Sequence, residues 1–108
     1  MLAPDPKRDF KNRVRRWAEK LDVDINWLGV RQMKNKWASC STSGNLNFST
    51  DLLELDEELQ DYVIVHELLH FSVPNHGKLW KSLMSAHLGD YQSLEKRLSG
   101  TDGNAQTL

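Results

Sequence analysis

The stretch from Val63 to His76 reads VIVHELLHFSVPNH and constrains the chain more than any other, because it gathers three of the four histidines around one glutamate on an apolar run. Histidines on such a run are costly to bury unless something partners them. His66 and His70 are four apart, so on a helix both imidazoles lie on one face about one turn apart, a separation at which two nitrogens can share one metal ion. Glu67 sits roughly 100° further around the helix axis, where its carboxylate can reach a water on that ion without being a ligand. His76 is a stricter test. In an unbroken helix it would lie about 15 Å along the axis from His66, so the helix has to end between them. Pro74 disfavours the α conformation at Val73 and Asn75 forms turns, which punctuates the chain where a return of His76 as third ligand requires it.

Three neutral imidazoles with an open fourth position describe a catalytic rather than a structural zinc site. In such a site Glu67 takes a proton from the zinc-bound water, directs the hydroxide at a carbonyl carbon and returns the proton to the leaving amine, which is peptide or amide hydrolysis. The HExxH pattern alone arises in on the order of 1% of shuffles of this composition. The helix breaker, the third histidine and the apolar surroundings raise it well above chance.

Composition sets the frame. At 108 residues the chain is long enough for one core and too short for two. Its 14 Lys plus Arg balance 15 Asp plus Glu, so no global charge favours nucleic acid or an anionic membrane. The lone Cys40 forms no internal disulfide and, with no CxxC pair, no cysteine-based zinc site, which fits a reducing, cytoplasmic setting. The first residues, MLAPDPKRDFKNRVRRW, contain no apolar signal region, and no apolar run approaches the roughly 18 residues that span a bilayer; a soluble, unexported protein is expected.

Along the chain, Phe10, Val14, Trp17 and Leu21 recur at helical spacing and predict a helix over 7–21. Its other face carries Lys7, Arg8, Lys11, Arg13, Arg15 and Arg16, read as solvated charges rather than a phosphate grip. From Val23 to Ser49 the segments VDINWLGV, KWASCS and NLNFS, with turn signals at Lys34-Asn35 and Ser43-Gly44-Asn45, predict a three-stranded antiparallel sheet. Acidic residues from Asp51 to Glu58 lead into the metal helix, expected over 56–73, where they suit the positive end of its dipole. Helices over 78–88 and about 91–98 follow. The expected domain is 1–98, and the small, polar 99–108 reads as a disordered tail.

With these residues in place, the chain resembles the YgjP-like metallopeptidase family, a relative of the SprT-like and WLM groups among zincin-type HExxH peptidases. The resemblance runs from about Arg31 to Leu98. RQMKNKWASC (Arg31 to Cys40) is similar to the family's R-x-M-K-x-R-W-G-S-C, YVIVHELLH (Tyr62 to His70) to its Y-V-V-x-H-E-L-x-H, and NHGKLW (Asn75 to Trp80) to its N-H-x-x-x-F-W. Lys36 stands where the family has Arg and Ala38 where it has Gly. The resemblance implies a minimal α+β zincin-like fold, Zn2+ as cofactor, His66, His70 and His76 as ligands, Glu67 as acid/base, and a peptide or protein substrate. It further implies that GNLNFS supplies an edge strand, Asn45, Leu46, Asn47, Phe48 and Ser49, to which an extended substrate adds.

Other residues have plainer readings. Cys40 reads as a small buried side chain. His87 reads as a core residue or a support to the ligands. Trp80 is expected to pack on the metal helix, and Tyr91 or Arg31 to be candidates for stabilising an oxyanion. Two rivals remain at this level. One is a zinc-dependent endoribonuclease with the same H-x3-H-x5-H spacing, whose pattern lacks a glutamate after the first histidine. The other is a non-enzymatic module that uses the basic face over 7–16 to bind nucleic acid or protein. A domain this small also offers few pockets of its own, which leaves room for a protein partner.

Overall fold

The computed structural model describes residues 5–34, 36–41, 43–72 and 77–101. Helix α1 spans Pro6–Leu21. Asp5 caps it by accepting from the Arg8 amide at 3.1 Å, Pro6 supplies a preset φ in the first turn, and Asp22, in the left-handed region at φ 59°, ends it. The Val23 amide then closes back on the Ala18 carbonyl at 2.8 Å. Phe10, Val14 and Ala18 form the buried stripe. Lys7, Arg8, Arg15 and Arg16 are exposed, as solvated charges should be.

Strands β1 (Trp27–Arg31), β2 (Ala38–Cys40) and β3 (Asn45–Ser49) form a sheet in the order β1-β3-β2. The sheet is mixed, not antiparallel: β3 pairs antiparallel with β2 but parallel with β1. A parallel pair needs a long crossover, and here β2 itself lies within the crossover, because the chain leaves β1, runs out to β2 and turns back between the two. Periodicity predicts strands without saying which neighbours they choose. Gly44 (φ 92°) makes the return possible and receives the amides of Asn26 and Trp27 on its carbonyl, which ties the hairpin to the start of β1.

A 3-10 turn over Thr50–Glu54, absent from the sequence reading, follows β3. Ser49 caps it through the Asp51 amide, and the buried Gln60 side chain donates to the carbonyls of Leu52 and Leu55, at 2.9 and 3.0 Å. These bonds fix the entry to helix α2, Glu57–Ser72. Helices α3 (Lys78–Leu88) and α4 (Tyr91–Thr101) complete the chain order. Because α4 reaches Thr101, the first residues of the expected tail are helical. Residues 102–108 lie outside the described part, as do Val73, Pro74, Asn75 and His76.

Helix α2 is the axis of the core. Leu28 and Val30 of β1, Ala38 of β2 and Leu46 and Phe48 of β3 share one buried cluster with Phe10, Val14 and Ala18 of α1 and with Tyr62 to Val65, Leu68 and Leu69 of α2. Phe10 meets Phe48 edge to face at 5.2 Å. Asp61 locks α1 to α2 by accepting from the Arg13 guanidinium at 2.5 Å and the Trp17 indole at 3.0 Å. On the other side, Tyr62 donates to Glu95 of α4 at 3.0 Å. No described helix is long and apolar enough to cross a membrane.

Candidate metal centre

From Tyr62 to Leu69 every residue of α2 is buried, so this helix has no solvated stripe. A helix buried all round is placed by its apolar residues, here Tyr62, Val63, Ile64, Val65, Leu68 and Leu69. The polar residues among them are held wherever that packing puts them. His66 and Glu67 are each 3% exposed. His70, one turn on, is half-buried and stands edge to face on His66, ring centroids 4.8 Å apart.

Tyr62, Trp80 and Tyr91 wall the pair. Tyr62 lies one turn before His66 with centroids 5.9 Å apart, Trp80 of α3 meets the His66 ring edge-on at 5.1 Å, and Tyr91 of α4 packs on Trp80 at 5.8 Å. Trp80 thus packs on the metal helix as the sequence predicts. Tyr91 is one ring removed from His66.

The donor atoms of His66, Glu67 and His70 all lie within 4.8 Å of one another. Two imidazole nitrogens and a carboxylate at that separation fit a borderline divalent cation such as zinc, and the low dielectric of the surroundings strengthens the attraction between such an ion and its donors. Among the described residues this is the one group of metal-ligating side chains close enough to act together. His76 lies outside the described residues. Burial, the largest effect, raises the Glu67 pKa; the nearby Cys40 thiol and the charge of Lys36 pull it partly back. The family's arginine position therefore carries a lysine whose charge reaches the glutamate.

Several sequence expectations need correction. β3 is the central strand, paired along Asn45–Ser49 with β1 on one side and β2 on the other, so Asn45, Leu46, Asn47, Phe48 and Ser49 offer no free backbone edge to a substrate. Leu46 and Phe48 are instead fully buried core residues. The edge on the α2 side of the sheet belongs to β2. Arg31 alternates with the core residues Leu28 and Val30, which puts it on the opposite face of the sheet and away from the histidines. Cys40 is exposed, not buried, since it ends an edge strand. His87, read as a core residue or a support to the ligands and not as a ligand, needs no such correction: it packs edge-on against Trp17 at 6.1 Å and stands outside the ligand group.

The sequence reading missed that β2 packs against α2, which brings Cys40 to the neighbourhood of Glu67. Its one available signal is the position of Cys40 at the end of the RQMKNKWASC segment, and nothing in the spacing shows that this segment folds onto the metal helix.

The model of the YgjP-like metallopeptidase domain matches residues 2–101. An uncharacterised protein of Methanocaldococcus jannaschii is 38% identical over 83 residues, which cover 71% of this chain and 74% of that protein. Among solved structures, the metallopeptidase zymogen abylysin of Pyrococcus abyssi superposes with a TM-score of 0.75 at 19% identity, covering 91% of this chain and 99% of that one. The metallopeptidase zymogen jannalysin of Methanocaldococcus jannaschii gives 0.70 at 25% identity, covering 89% and 95%. The first of these likenesses shows the fold alone, and both agree with a zincin-like α+β architecture.

Proposed function

The chain belongs to the YgjP-like metallopeptidase family, and from that premise we propose that it is a zinc-dependent peptidase in which Glu67 is the general base and His66, His70 and His76 hold the metal. The observation that carries this reading is the burial of His66 and Glu67 on a helix with no solvated face, their donor atoms within 4.8 Å of each other and of His70. Zinc, when bound, supplies Lewis acidity and makes a water molecule acidic near neutral pH.

The chain's own residues do the rest. The aromatic wall of Tyr62, Trp80 and Tyr91 excludes bulk water from one side of the pair and fixes the His66 ring. Glu67, raised in pKa by its dry surroundings, is suited to accept a proton from the attacking water and to pass it to the leaving amine. The free edge of β2, Ala38–Cys40, offers main-chain groups to which an extended peptide can add a strand beside α2. The proposed substrate is thus an exposed or unfolded segment of a polypeptide, in a cytoplasmic setting, with or without a protein partner to present it.

Hydrolysis of a fluorescently quenched unfolded protein by the zinc-loaded chain tests this. Glu67→Gln should keep zinc and lose turnover. Undiminished turnover in that variant would remove Glu67 from the chemistry and return the ribonuclease reading, whose pattern has no such glutamate.

A further inference from the structure

The sheet has two edges, and they differ. β2 is three residues long and lies on the side of α2, where the proposed substrate adds. The other edge is β1, five residues paired with β3 in unbroken register and carrying no lysine, proline or bulge of the kind that keeps an edge from joining another chain. The Trp27 amide bonds to the Gly44 carbonyl on the β3 side at 3.3 Å. A strand turns the backbone groups of successive residues to opposite sides, so those of Leu28 and Val30 point to the open edge. Among the described residues they meet no backbone group there.

The side chains of β1 carry a second signal. Leu28 and Val30 turn into the core, which leaves Trp27, Gly29 and Arg31 on the outer face. Trp27, at 54%, is one of two large apolar side chains that the described residues expose. Its ring lies across Gly29, where a Cβ would collide with it. Arg31 is exposed at the far end, and the exposed, oppositely charged Asp24 and Lys34 flank the strand.

We propose that β1 is a dimer seam: a second copy of this chain adds its own β1 antiparallel about Gly29, joining two three-stranded sheets into one of six strands. In this register the strand is complementary to itself. Leu28 stands opposite Val30 of the second copy and exchanges both backbone bonds with it. Trp27 stands opposite Arg31, ring to guanidinium, and Asp24 is brought toward Lys34, each contact made twice by the two-fold axis. Gly29 meets Gly29 at the centre, in a pair without backbone bonds where the strands come closest, and the missing Cβ atoms leave room for both Trp27 rings. A parallel approach would set Asp24 beside Asp24 and Arg31 beside Arg31. That charge pattern favours a second copy over an extended segment of another protein. The β2 edge of each copy stays open, and the contact needs no metal.

Sedimentation equilibrium of the full chain over a range of concentrations, with and without zinc, tests this. Wild type should show a reversible monomer-dimer equilibrium and nothing larger. Arg31→Glu, which replaces an attraction to the ring face by a repulsion at two places, should raise Kd at least about 10-fold, as should Trp27→Ala. Asp24→Lys and Lys34→Asp should each raise it about 3-fold, and the chain carrying both exchanges should recover wild-type affinity. Far-UV circular dichroism checks that each variant is folded; the exchanges at exposed charges carry the test should Trp27→Ala fail to fold. A wild type that is monomeric at every concentration would overturn the second copy and leave the edge to another protein's segment. A dimer indifferent to Arg31→Glu and to both single exchanges would place the seam elsewhere. Failure of the double exchange to recover affinity would overturn the antiparallel register, and growth beyond the dimer would mean that β1 pairs with β2 and would overturn the closed seam.

Discussion

Helices α1 and α2 have the same length, 16 residues each, and neighbouring places in the core, but they treat polar residues in opposite ways. α1 buries one stripe and turns Lys7, Arg8, Arg15 and Arg16 to water. α2 is buried on every side from Tyr62 to Leu69, with two imidazoles and a carboxylate in or beside that stretch. A charge on α1 is accounted for by solvation and needs no ligand. A carboxylate on α2 has surrendered its water, at a cost of several kcal/mol when nothing compensates, so its presence calls for a partner or a task.

The largest difference between the helices should appear in activity. Glu67→Gln is expected to reduce turnover by at least about 100-fold, measured on an unfolded protein substrate, while any single α1 charge replaced by alanine leaves it within twofold. The same Glu67→Gln change should stabilise the metal-free protein at neutral pH. Burial raises the folded-state pKa of Glu67 above its unfolded value, so whatever stability the protonated form lends is present below the ordinary carboxylate range and is lost as pH rises through the folded value. Wild type and variant should therefore converge in acid and diverge toward neutrality in urea titrations. Equal stability at both ends would mean that Glu67 is not strained by its surroundings.

In packing, Leu68→Ala, at a fully buried α2 position, should cost about 2–5 kcal/mol in urea unfolding. At the α1–α2 seam, Asp61→Asn weakens the Arg13 pair and the Trp17 bond. Because Arg13 and Asp61 are partly exposed, at 16% and 25%, a loss of about 1 kcal/mol is expected. Tyr62→Phe should cost a similar amount, about 1 kcal/mol, with a pH signature. Burial, then the charge of Glu95 and its hydrogen bond, raise the Tyr62 pKa beyond its usual range. The phenol's contribution is thus present below the unfolded tyrosine value of about 10 and lost as pH climbs above it, so the variant should show a shallower alkaline decline than wild type. The smallest effect is on the outer face of α1, where Arg15→Ala should stay within about 0.5 kcal/mol.

How far the sequence speaks also differs between the two helices. The stripe of α1 and the span of α3 are written in local spacing, and the structure follows them, with α1 starting one residue before the expected 7. The closeness of His66 and His70 is likewise local, fixed by one helical turn. Strand order is not local: NLNFS reads the same as an edge or a centre, and only the short path from β1 to β2 and back decides that β3 lies between them. The packing of β2 on α2 has the same character, since it brings a three-residue edge strand against a helix far along the chain. Similarly, the 3-10 turn after Ser49 owes its place to carbonyls gathered by the distant Gln60 side chain.

The metal itself is the most direct point of attack. Zinc content of the purified protein and of His66→Ala, His70→Ala and His76→Ala, after dialysis against a weak chelator, should show about one equivalent in wild type. The first two variants should lose it and the third should bind it more weakly. Full occupancy in both His66→Ala and His70→Ala would contradict a metal centre on α2 and leave its buried histidines to another explanation.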